Sequence, residues 1–584
     1  MGSVTNGNAV TETDVVVVGA GFSGLYVVHS LAKLGFNVRA FEKAPDVGGT
    51  WYWNRYPGAR CDSESLTYCY TFDEQLFKDW VWSERYPSGP EVLKYLRHVA
   101  DRFNLRRYFQ FETAIQSAVY DEAVRRWTIT ASTGEVLSAR FFVTAVGNLS
   151  VPATPTVPGI DTFQGQWLHT GRWPLEPIDF TGKRVAVIGT GSSGVQVIQE
   201  IAKTADHLTV FQRTPTFTIP LRNLPLDPDV QRLWKSNYRE LTKKSRYSDG
   251  GLPFFVSEKP LKGVSAEEQK EGLERAWGIG GFRFLFGTFC DIGSDHEANK
   301  VAADFVRGKI ADIVKDPATR ETLTPTAYPL GAKRIPLDTA YFQVYNQDNV
   351  SLVNLQVDPI SKMTPKGLVA GTTEHEFDLV IFATGFEAIT GPLLQMDIVG
   401  RGGQKLNDTW ADGPYAYMGV GVPGFPNLLT LGGPGGVGVI SNVPPTAEQA
   451  VEFAAECIAY LRDHQIDEIE ATTEATDLWN EHVRAMAQKT MYPYAPSSWY
   501  NGSNLGKKPR PFPAYTGGFG KYRRICDAVA AEGYTSFKTH RQGDKEVTGE
   551  DNYKAHDPEW YIRVASVPSN AELASWEGRS AMWT

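Results

Sequence analysis

The chain has 584 residues, of which 42% are hydrophobic and 21% charged, with a formal net charge of −9. This length exceeds what one ordinary hydrophobic core accommodates, so two or three domains are expected. The acidic balance and the lack of a Lys/Arg cluster exclude a nucleic-acid-binding surface. No segment has the apolar run of a membrane helix.

The five scattered cysteines, an odd number, are typical of reduced thiols in a cytoplasmic protein. The first 13 residues predict a loose polar tail and no signal peptide. We expect no metal site.

The first predicted element is a buried strand, Asp14–Val18, followed by the turn Gly19-Ala-Gly21-Phe-Ser-Gly24 and a helix over Leu25–Leu34. In this motif the first glycine makes a tight turn, the second admits a pyrophosphate, and the third lets the helix pack on the strand. A second strand, Asn37–Phe41, ends at Glu42, a carboxylate placed to bind ribose hydroxyls and to repel a 2′-phosphate. This site is therefore predicted to bind FAD or NAD.

Two further segments combine aromatic rings with glycines. Gly48–Asp62 could bring backbone close to a ligand and line an isoalloxazine with flat rings, although a plain core loop is the alternative. Phe163–Pro174 contains His169 and Trp173. The alternative to a functional role is that its apolar side chains only pack the connection between the two folds, with His169 as a structural histidine. Between the two segments, a predicted strand over Arg140–Thr144 meets a small-residue turn.

A second fold of the same type follows. The strand Arg184–Ile188 leads into Gly189-Thr-Gly191-Ser-Ser-Gly194 and a helix over Val195–Ile201. The next strand, His207–Phe211, is followed by Gln212 and Arg213 where the first fold has a carboxylate, and a guanidinium suits a phosphate. The spacing favours an NADP site over a solvated surface arginine. A single turn of this type could be a glycine-rich turn that binds no ligand, but two of them, each between a strand and a helix, argue against that alternative.

The second half of the chain predicts an insertion and a return to the first fold. Helices are expected within 227–244 and 266–277, and β-strands resume at Val350–Val357 and Glu374–Ile381. The small-residue turn after Phe382 resembles the one after Thr144, so the chain is predicted to re-enter the first domain there. A long helix over Ala447–His464 should pack beneath the first sheet.

The predicted fold class is α/β, with two interleaved Rossmann-like dinucleotide-binding domains and a helical insertion. An FAD-binding domain comprises 1–150 and 378–540, and an NADP-binding domain 151–223 and 326–377. The helical insertion covers 224–325, and 541–584 form a loosely packed C-terminal extension.

Two redox dinucleotides in one chain usually pass electrons between them. A disulfide reductase would need a Cys-x-x-Cys pair beside the flavin, and this chain has none. The electrons must therefore reach molecular oxygen, a small acceptor or a partner protein.

The motifs Gly-Gly-x-Trp-x-x-x-x-Tyr-Pro-Gly-x-x-x-Asp at 48–62 and Phe-x-Gly-x-x-x-His-x-x-x-Trp-Pro at 163–174 resemble those of the type I Baeyer–Villiger monooxygenases. The resemblance extends from about Val15 to about Phe537. The related N-oxidising flavin monooxygenases share the second motif without its Trp-Pro ending. The resemblance implies FAD, NADPH and O₂ as reactants, and oxidation of a ketone to an ester or lactone through a C4a-peroxyflavin.

The resemblance also implies the catalytic residues. In Gly331-Ala-Lys-Arg-Ile-Pro336, Arg334 falls on the family's arginine that stabilises the peroxide. Composition alone would predict that Lys333 and Arg334 are two solvated residues of a loop. A fixed cation is what the developing negative charge requires. Asp62 falls on the aspartate that orients this arginine; a turn-capping role is the alternative.

The cofactor contacts that the resemblance implies form two sets. For FAD they are Gly19, Gly21, Ser23, Gly24, Glu42, Thr50, Trp51, Tyr52, Trp53, Asp62, Tyr68, Ile115 and Val443. For NADP they are Thr190, Gly191, Ser192, Ser193, Gly194, Val195, Gln196, Arg213, Thr214, Lys333, Arg334 and Trp499, the last on a mobile loop over 498–504. His169 and Trp173 are assigned to coupling between the domains.

Three hypotheses remain open at this point. The first is a monomeric Baeyer–Villiger monooxygenase acting on cyclic or aryl-alkyl ketones, with the glycine-rich run at 432–439 beside the substrate. The second is an N- or S-oxygenating flavin monooxygenase or an NADPH oxidase. The third is a redox sensor that holds two nucleotides without catalysis.

Overall fold

The computed structural model describes residues 10–254, 256–501, 512–541 and 553–566. Its strands are β1 Thr11–Val18, β2 Val38–Phe41, β3 Phe109–Gln110, β4 Ile115–Asp121, β5 Arg126–Ala131, β6 Val136–Thr144, β7 Gln166–His169, β8 Arg184–Ile188, β9 His207–Gln212, β10 Ile219–Pro220, β11 Leu337–Asp338, β12 Val350–Asn354, β13 Ile360–Thr364, β14 Gly367–Ala370, β15 Thr373–Glu376, β16 Leu379–Phe382, β17 Asp397–Val399, β18 Leu428–Thr430, β19 Ile466–Ala471 and β20 Phe537–Arg541.

Its α-helices are α1 Phe22–Lys33, α2 Thr50–Trp53, α3 Glu74–Asp79, α4 Gly89–Arg102, α5 Ser192–Ile201, α6 Pro228–Ser236, α7 Tyr238–Tyr247, α8 Ala266–Ile279, α9 Arg283–Phe286, α10 His296–Ile313, α11 Pro317–Leu323, α12 Gly391–Leu394, α13 Leu406–Thr409, α14 Val443–Asp463, α15 Thr473–Ala487, α16 Phe519–Ala531 and α17 Pro558–Ala565. The predicted loose tail ends earlier than residue 13, because β1 begins at Thr11.

The first sheet has the strand order β17-β4-β5-β6-β1-β2-β3, with β18 also paired to β6. β1 runs parallel to β6 and β2, whereas β4, β5 and β6 pair antiparallel. Helix α14 packs against α1, so Val451 of α14 joins Val15 and Leu25 in one buried cluster. The long helix predicted at 447–464 thus lies beneath this sheet. It begins four residues earlier than predicted, at Val443, because its first turn contains two prolines, which are favoured at the start of a helix.

The second sheet is all parallel, with the order β12-β9-β8-β16-β7. This arrangement corrects one sequence prediction. The strand at 379–382 was expected to return the chain to the first domain, yet it pairs with β8 and β7 of the second sheet. The chain rejoins the first sheet only at β17.

The physical reason is that each glycine-rich turn needs a strand end beside it. A Cβ atom on Gly19 would lie 2.4 Å from the carbonyl oxygen of Ala145, just after β6, and one on Gly189 would lie 2.5 Å from that of Ala383, just after β16. The two small-residue turns are therefore equivalent elements of two separate folds. The predicted strand Glu374–Ile381 also splits, since β15 belongs to an antiparallel three-stranded sheet with β13 and β14.

The described residues of 224–325 form helices α6 to α11 and no strand. They are joined to the first domain by a buried ionic cluster, in which Arg246 of α7 contacts Glu448 and Glu452 of α14, and Arg523 of α16 contacts Glu452. Burial would raise the pKa of Glu452, but Arg246 and Arg523 outweigh it and lower that pKa to about 2. Glu452 therefore stays ionised inside the protein, whereas burial raises the pKa of Glu448 above its ordinary value.

The C-terminal extension is not uniformly loose. Within its described part, 553–566, helix α17 packs on α16 and α15. The Tyr561 side chain is fully buried; its ring contacts Trp479 and its hydroxyl lies 3.3 Å from that of Tyr417. Aromatic anchoring on α17 thus outweighs the polar composition of this segment. The rest of the extension, 542–552 and 567–584, lies outside the described residues.

In the part of the chain that the structure describes, no helix is both long and apolar enough to cross a membrane.

Candidate active site

Both glycine-rich turns open onto one cavity of about 1020 Å³. Residues 19–23 line it from the first turn and residues 189–193 from the second. The sequence-predicted sites therefore face a common space, which is the arrangement that electron transfer between two dinucleotides requires.

The third glycine of each turn has a packing role and does not line the cavity. A Cβ atom on Gly24 would lie 1.8 Å from the carbonyl oxygen of Gly19, and one on Gly194 would lie 2.1 Å from that of Gly189. Each helix can follow its strand this closely only because those positions lack side chains. At Gly191, by contrast, nothing lies within 4 Å of such a Cβ atom, so the second glycine keeps open space at the cavity.

The two helices also begin in a form that suits a pyrophosphate. Gly21 and Gly191 are the N-cap residues of α1 and α5, and neither helix has a side-chain capping hydrogen bond. The backbone N–H groups of the first turn are then available to an anion, and the helix dipole favours it. The turns fit the diphosphate groups of two dinucleotides.

Glu42 lies at the end of β2, where both of its carboxylate oxygens are held by backbone. Oε2 accepts a hydrogen bond from the Ala20 N–H and Oε1 from the Ala44 N–H, each at 2.8 Å. Burial raises the pKa of Glu42 above its ordinary value. The carboxylate thus bridges the first turn and the strand end while lining the cavity.

Most of the predicted flavin-side residues line the same cavity. They are Thr50, Trp51, Trp53, Asp62, Tyr68, Ile115 and Val443. The Trp51 indole donates from Nε1 to the Tyr68 hydroxyl over 3.2 Å, and the two rings meet edge-on. Tyr52 is not among the lining residues: its side chain is buried, and its ring lies under the Arg55 guanidinium.

Asp62 and Arg334 form an ion pair within the cavity. Arg334 Nε donates a hydrogen bond to Asp62 Oδ2 over 2.9 Å, and Arg334 Nη2 lies 2.7 Å from the same oxygen. Both side chains line the cavity and keep about a quarter of their surface exposed, 23% and 28% for Arg334 and Asp62 respectively. The structure therefore joins the two residues that the sequence assigned to catalysis.

The environment of Arg334 preserves its charge. Its guanidinium lies 4.6 Å from the centre of the Phe282 ring and beside the buried Tyr500, where the Arg334 charge opposes the rise that burial causes in the pKa of Tyr500. Burial would lower the pKa of Arg334, but the adjacent Asp62 carboxylate outweighs it and raises the pKa above its ordinary value. A permanent cation is thus fixed beside open space, where it can stabilise an oxyanion.

Two cations line the cavity beside the second turn. Arg213 donates from Nη2 to Ser497 Oγ over 2.9 Å, and the Lys333 ammonium lies 4.1 Å from the centre of the Tyr328 ring. Burial and the nearby Arg213 charge lower the pKa of Lys333 to about 8. Two like charges held together in this way suit a phosphate dianion that would neutralise them.

The residues predicted to couple the domains do not line the cavity. His169 ends β7, where Nδ1 accepts from the Gly171 N–H over 3.0 Å and Nε2 lies 3.3 Å from Thr384 Oγ1. Burial lowers the pKa of His169 to about 4, so the ring is neutral. Trp173 is buried in the core of the second fold. Val195 is likewise a core residue and does not line the cavity.

The remaining predicted contacts at the second turn, Thr190, Ser192, Ser193, Gln196, Thr214 and Trp499, all line the cavity. From the glycine-rich run at 432–439, Gly432 and Gly438 line it. The predicted mobile loop at 498–504 is described only as far as residue 501. No group of three metal-ligating side chains occurs among the described residues.

Comparison with known proteins places this geometry in a family. The flavin-binding monooxygenase-like family model matches residues 12–223. A Baeyer–Villiger monooxygenase of Pseudooceanicola batsensis is 44% identical over 537 residues, which is 91% of this chain and 97% of its own. The chain belongs to the Baeyer–Villiger monooxygenase family. The resemblance predicted from the two motifs, and the α/β fold class, are thereby confirmed.

Other members of this group extend the comparison. The crystal structure of cyclohexanone monooxygenase from Rhodococcus sp. Phi1 bound to NADP⁺ is 42% identical, with a TM-score of 0.89, covering 91% of this chain and 100% of that chain. Phenazine N-monooxygenase PhzNO1 of Lysobacter antibioticus is 44% identical over 91% of this chain and 98% of its own. The relatives of this chain therefore include proteins whose names refer to different oxygen acceptors, cyclohexanone and phenazine.

Several residues at the site were not identified from the sequence. Tyr500 and Phe282 flank Arg334, and Lys43 lines the cavity beside Glu42. Tyr500 directly follows Trp499, so its position next to a predicted site residue was the available signal. Phe282 lies in the helical insertion and carries no motif that would reveal it.

Proposed function

We propose that this protein is an FAD- and NADPH-dependent Baeyer–Villiger monooxygenase that oxidises a ketone. One ketone, one O₂, one NADPH and one proton give one ester, one water and one NADP⁺; a cyclic ketone gives a lactone. The observation that carries the proposal is the Arg334–Asp62 ion pair in a cavity shared by two dinucleotide-type turns.

The residues present suit both cofactors. FAD would lie on residues 19–23 with Glu42 at its ribose, and NADPH on residues 189–193 with Arg213 and Lys333 at its 2′-phosphate. When bound, the two cofactors would supply electrons to O₂ and thereby provide the reactive oxygen. The matched family model is flavin-binding, and the Rhodococcus relative was solved with NADP⁺.

Arg334 acts on the oxygens that become negative during the reaction. Negative charge develops on the carbonyl oxygen of the ketone under attack, and a preorganised cation lowers the energy of that state. A lysine would serve less well, because an ammonium can lose its proton when buried, as the pKa of about 8 at Lys333 illustrates, whereas a guanidinium stays charged. Asp62 accepts a hydrogen bond from Arg334 Nε and so fixes the guanidinium at the wall of the cavity.

A second candidate is N-oxygenation of an aromatic heterocycle. It is supported by the 44% identity to the phenazine N-monooxygenase, which equals the identity to the Baeyer–Villiger relative. A nucleophilic nitrogen needs no oxyanion stabilisation on a carbonyl. The Arg334–Asp62 pair therefore favours the ketone reaction.

Product analysis separates these candidates. The purified holoprotein is supplied with NADPH and air, together with cyclohexanone, phenylacetone or phenazine in separate reactions, and NADPH loss, ester or lactone, N-oxide and peroxide are all measured. The proposal predicts a ketone-dependent rise in NADPH consumption with equimolar ester or lactone. N-oxide as the main product would establish the second candidate, and peroxide alone would indicate an oxidase.

We propose further that the protein acts as a monomer in the cytoplasm. The scattered cysteines support this location: Cys61, Cys69, Cys457 and Cys526 are buried as free thiols and Cys290 is exposed as a free thiol. Light scattering of the holoprotein would measure the mass directly, and a mass of twice 64.7 kDa would contradict the monomer.

A further inference from the structure

Gln196, on the helix that begins at the second glycine-rich turn, has both ends of its amide engaged by the first domain. The Tyr56 hydroxyl donates to Gln196 Oε1 over 2.8 Å, and Gln196 Nε2 donates to the Arg60 carbonyl oxygen over 3.0 Å. Tyr56 and Arg60 belong to the segment 54–62, whose last residue is Asp62. The Gln196 amide is therefore hydrogen-bonded to the segment that carries Asp62, the carboxylate of the ion pair.

A close backbone approach at Gly58 shows independently that this segment lies directly on α5. Gly58 has a φ of +81°, and a Cβ atom there would lie 2.8 Å from the Gln196 carbonyl oxygen. Tyr56 and Ala59 on either side are buried in the core of the second fold. The segment is thus part of the first domain in sequence but packs on the second.

Gln199, one turn further along α5, binds the backbone of the segment that follows Arg334. Its Oε1 accepts hydrogen bonds from the Thr339 N–H over 2.9 Å and from the Ala340 N–H over 2.6 Å. Its Nε2 donates to the Val195 carbonyl oxygen over 2.8 Å, and the side chain is buried. Thr339 follows Arg334 by only five residues in the same segment.

We propose that Gln196 and Gln199 are positioning residues that fix the segments of Asp62 and Arg334 to helix α5, and so set the ion pair relative to the second dinucleotide site. The proposal rests on the function proposed above and adds a specific role within it. It gives Gln196 a positioning role in place of the nucleotide contact predicted from the resemblance, because its amide oxygen and nitrogen each form a hydrogen bond with the segment 54–62.

Substitution by methionine, which is similar in volume to glutamine but cannot hydrogen-bond in this way, tests the proposal. The variants are Gln196→Met, Gln199→Met and Tyr56→Phe, the last removing the Tyr56–Gln196 bond from the opposite side. Lys203→Gln, two residues beyond the end of α5, is the control, because Lys203 is exposed and pairs only with Glu200 among the contacts described.

Amide hydrogen exchange and NADP⁺ binding are the primary measurements. Gln196→Met and Tyr56→Phe should speed exchange in 54–62, and Gln199→Met should speed it in 334–341, by about tenfold for a lost hydrogen bond. The NADP⁺ dissociation constant of Gln196→Met should stay within about twofold of the parent. With a ketone that the parent oxidises, all three variants should release a larger fraction of NADPH electrons as peroxide, and Lys203→Gln should not.

Two outcomes would overturn the proposal. Exchange unchanged in both segments would mean that the glutamines position neither residue. NADP⁺ affinity weakened tenfold or more in Gln196→Met, with unchanged exchange, would make Gln196 a nucleotide contact. Because exchange and NADP⁺ binding do not depend on ketone oxidation, these results remain decisive even if no ketone is a substrate.

Discussion

Asp62 and Arg334 lie 272 residues apart in the chain and meet at Asp62 Oδ2, which accepts a hydrogen bond from Arg334 Nε and lies 2.7 Å from Arg334 Nη2. Asp62 comes from the first fold and Arg334 follows the helical insertion. The pair therefore forms only when these separate parts of the protein are docked. This relationship makes the site a product of tertiary structure, and it leads to the first two predictions.

Arg334→Ala should lose about a hundredfold or more in the rate of ester formation, because removal of one preorganised oxyanion donor costs about 2.7 to 4 kcal/mol. Reduction of bound flavin by NADPH should continue, since that step does not use the oxyanion. Rapid-mixing absorbance for reduction, combined with ester quantification, checks both halves. Arg334→Lys should recover little of the loss, because an ammonium lacks the planar fork that Asp62 binds.

Asp62→Asn should lower the rate of ester formation by about tenfold, because a charge-assisted bond to Arg334 becomes a weaker neutral one. Asp62→Ala should cost more than Asp62→Asn. In the double variant Asp62→Asn/Arg334→Ala the two losses should not add, since Asp62 acts through Arg334. Additive losses in steady-state kinetics would show instead that Asp62 acts on its own.

Gly194→Ala and Gly191→Ala should separate packing from binding in the second turn. A methyl on Gly194 would meet the Gly189 carbonyl oxygen at 2.1 Å, so unfolding free energy should fall by about 1–3 kcal/mol. A methyl on Gly191 meets nothing within 4 Å, so stability should change by less than about 0.5 kcal/mol while NADP⁺ affinity falls. Denaturant unfolding and NADP⁺ titration make the comparison; equal destabilisation of both variants would contradict it.

NADP⁺ affinity should fall by about three- to tenfold between pH 7 and pH 9, as Lys333 loses its proton. The pKa of Lys333 is lowered from 10.5 to about 8, so its ammonium is fully present only below that value. The bound phosphate should raise this pKa, and binding above pH 8 should therefore take up a proton. For folding the sign is opposite: between pH 8 and 10.5 the unfolded chain binds more protons here, so this lysine makes the unliganded protein more stable as pH rises.

Calorimetric titration of NADP⁺ in buffers of different ionisation enthalpy measures both the affinity and the proton uptake. Lys333→Gln should bind more weakly at pH 7 and show a flat profile over the same range. A profile that retains its slope in Lys333→Gln would assign the pH dependence to another group.

Arg523→Met should lower the free energy of unfolding by about 3–5 kcal/mol, because it removes one partner from a buried ionic cluster and leaves Glu452 undercompensated. The exposed pair Lys300–Asp304 provides the contrast. Lys300→Met should cost less than about 1 kcal/mol. Denaturant unfolding of the two variants, followed by a probe in each domain, would show whether the cluster stabilises the first domain selectively.

Local patterns were sufficient to predict both strand–turn–helix units. The strand predicted at Arg184–Ile188 has those bounds in the structure, and α5 begins three residues before its predicted start. These elements are encoded locally, by a β-branched run and by glycines whose positions have steric causes. The ion pair of Asp62 and Arg334 was predicted only through family resemblance, because no local pattern relates residues so far apart.

Long-range pairing accounts for what the sequence did not reveal. β16 is an apolar strand that either of the two large sheets could accept, so its sequence does not specify its partner. The docking of α17 depends on the burial of Tyr561 against Trp479, which a polar composition conceals. The contacts of Gln196 and Gln199 depend on how the two folds meet, and glutamines on a helix are most often solvated.

The most direct test of the central claim is the ratio of ester formed to NADPH consumed, measured with isotopically heavy O₂ and a ketone substrate. The account predicts a ratio near one, with one heavy oxygen atom in each ester, and a ratio near zero in Arg334→Ala despite continued NADPH oxidation. An Arg334→Ala variant that forms ester with heavy oxygen at the parent ratio would contradict it.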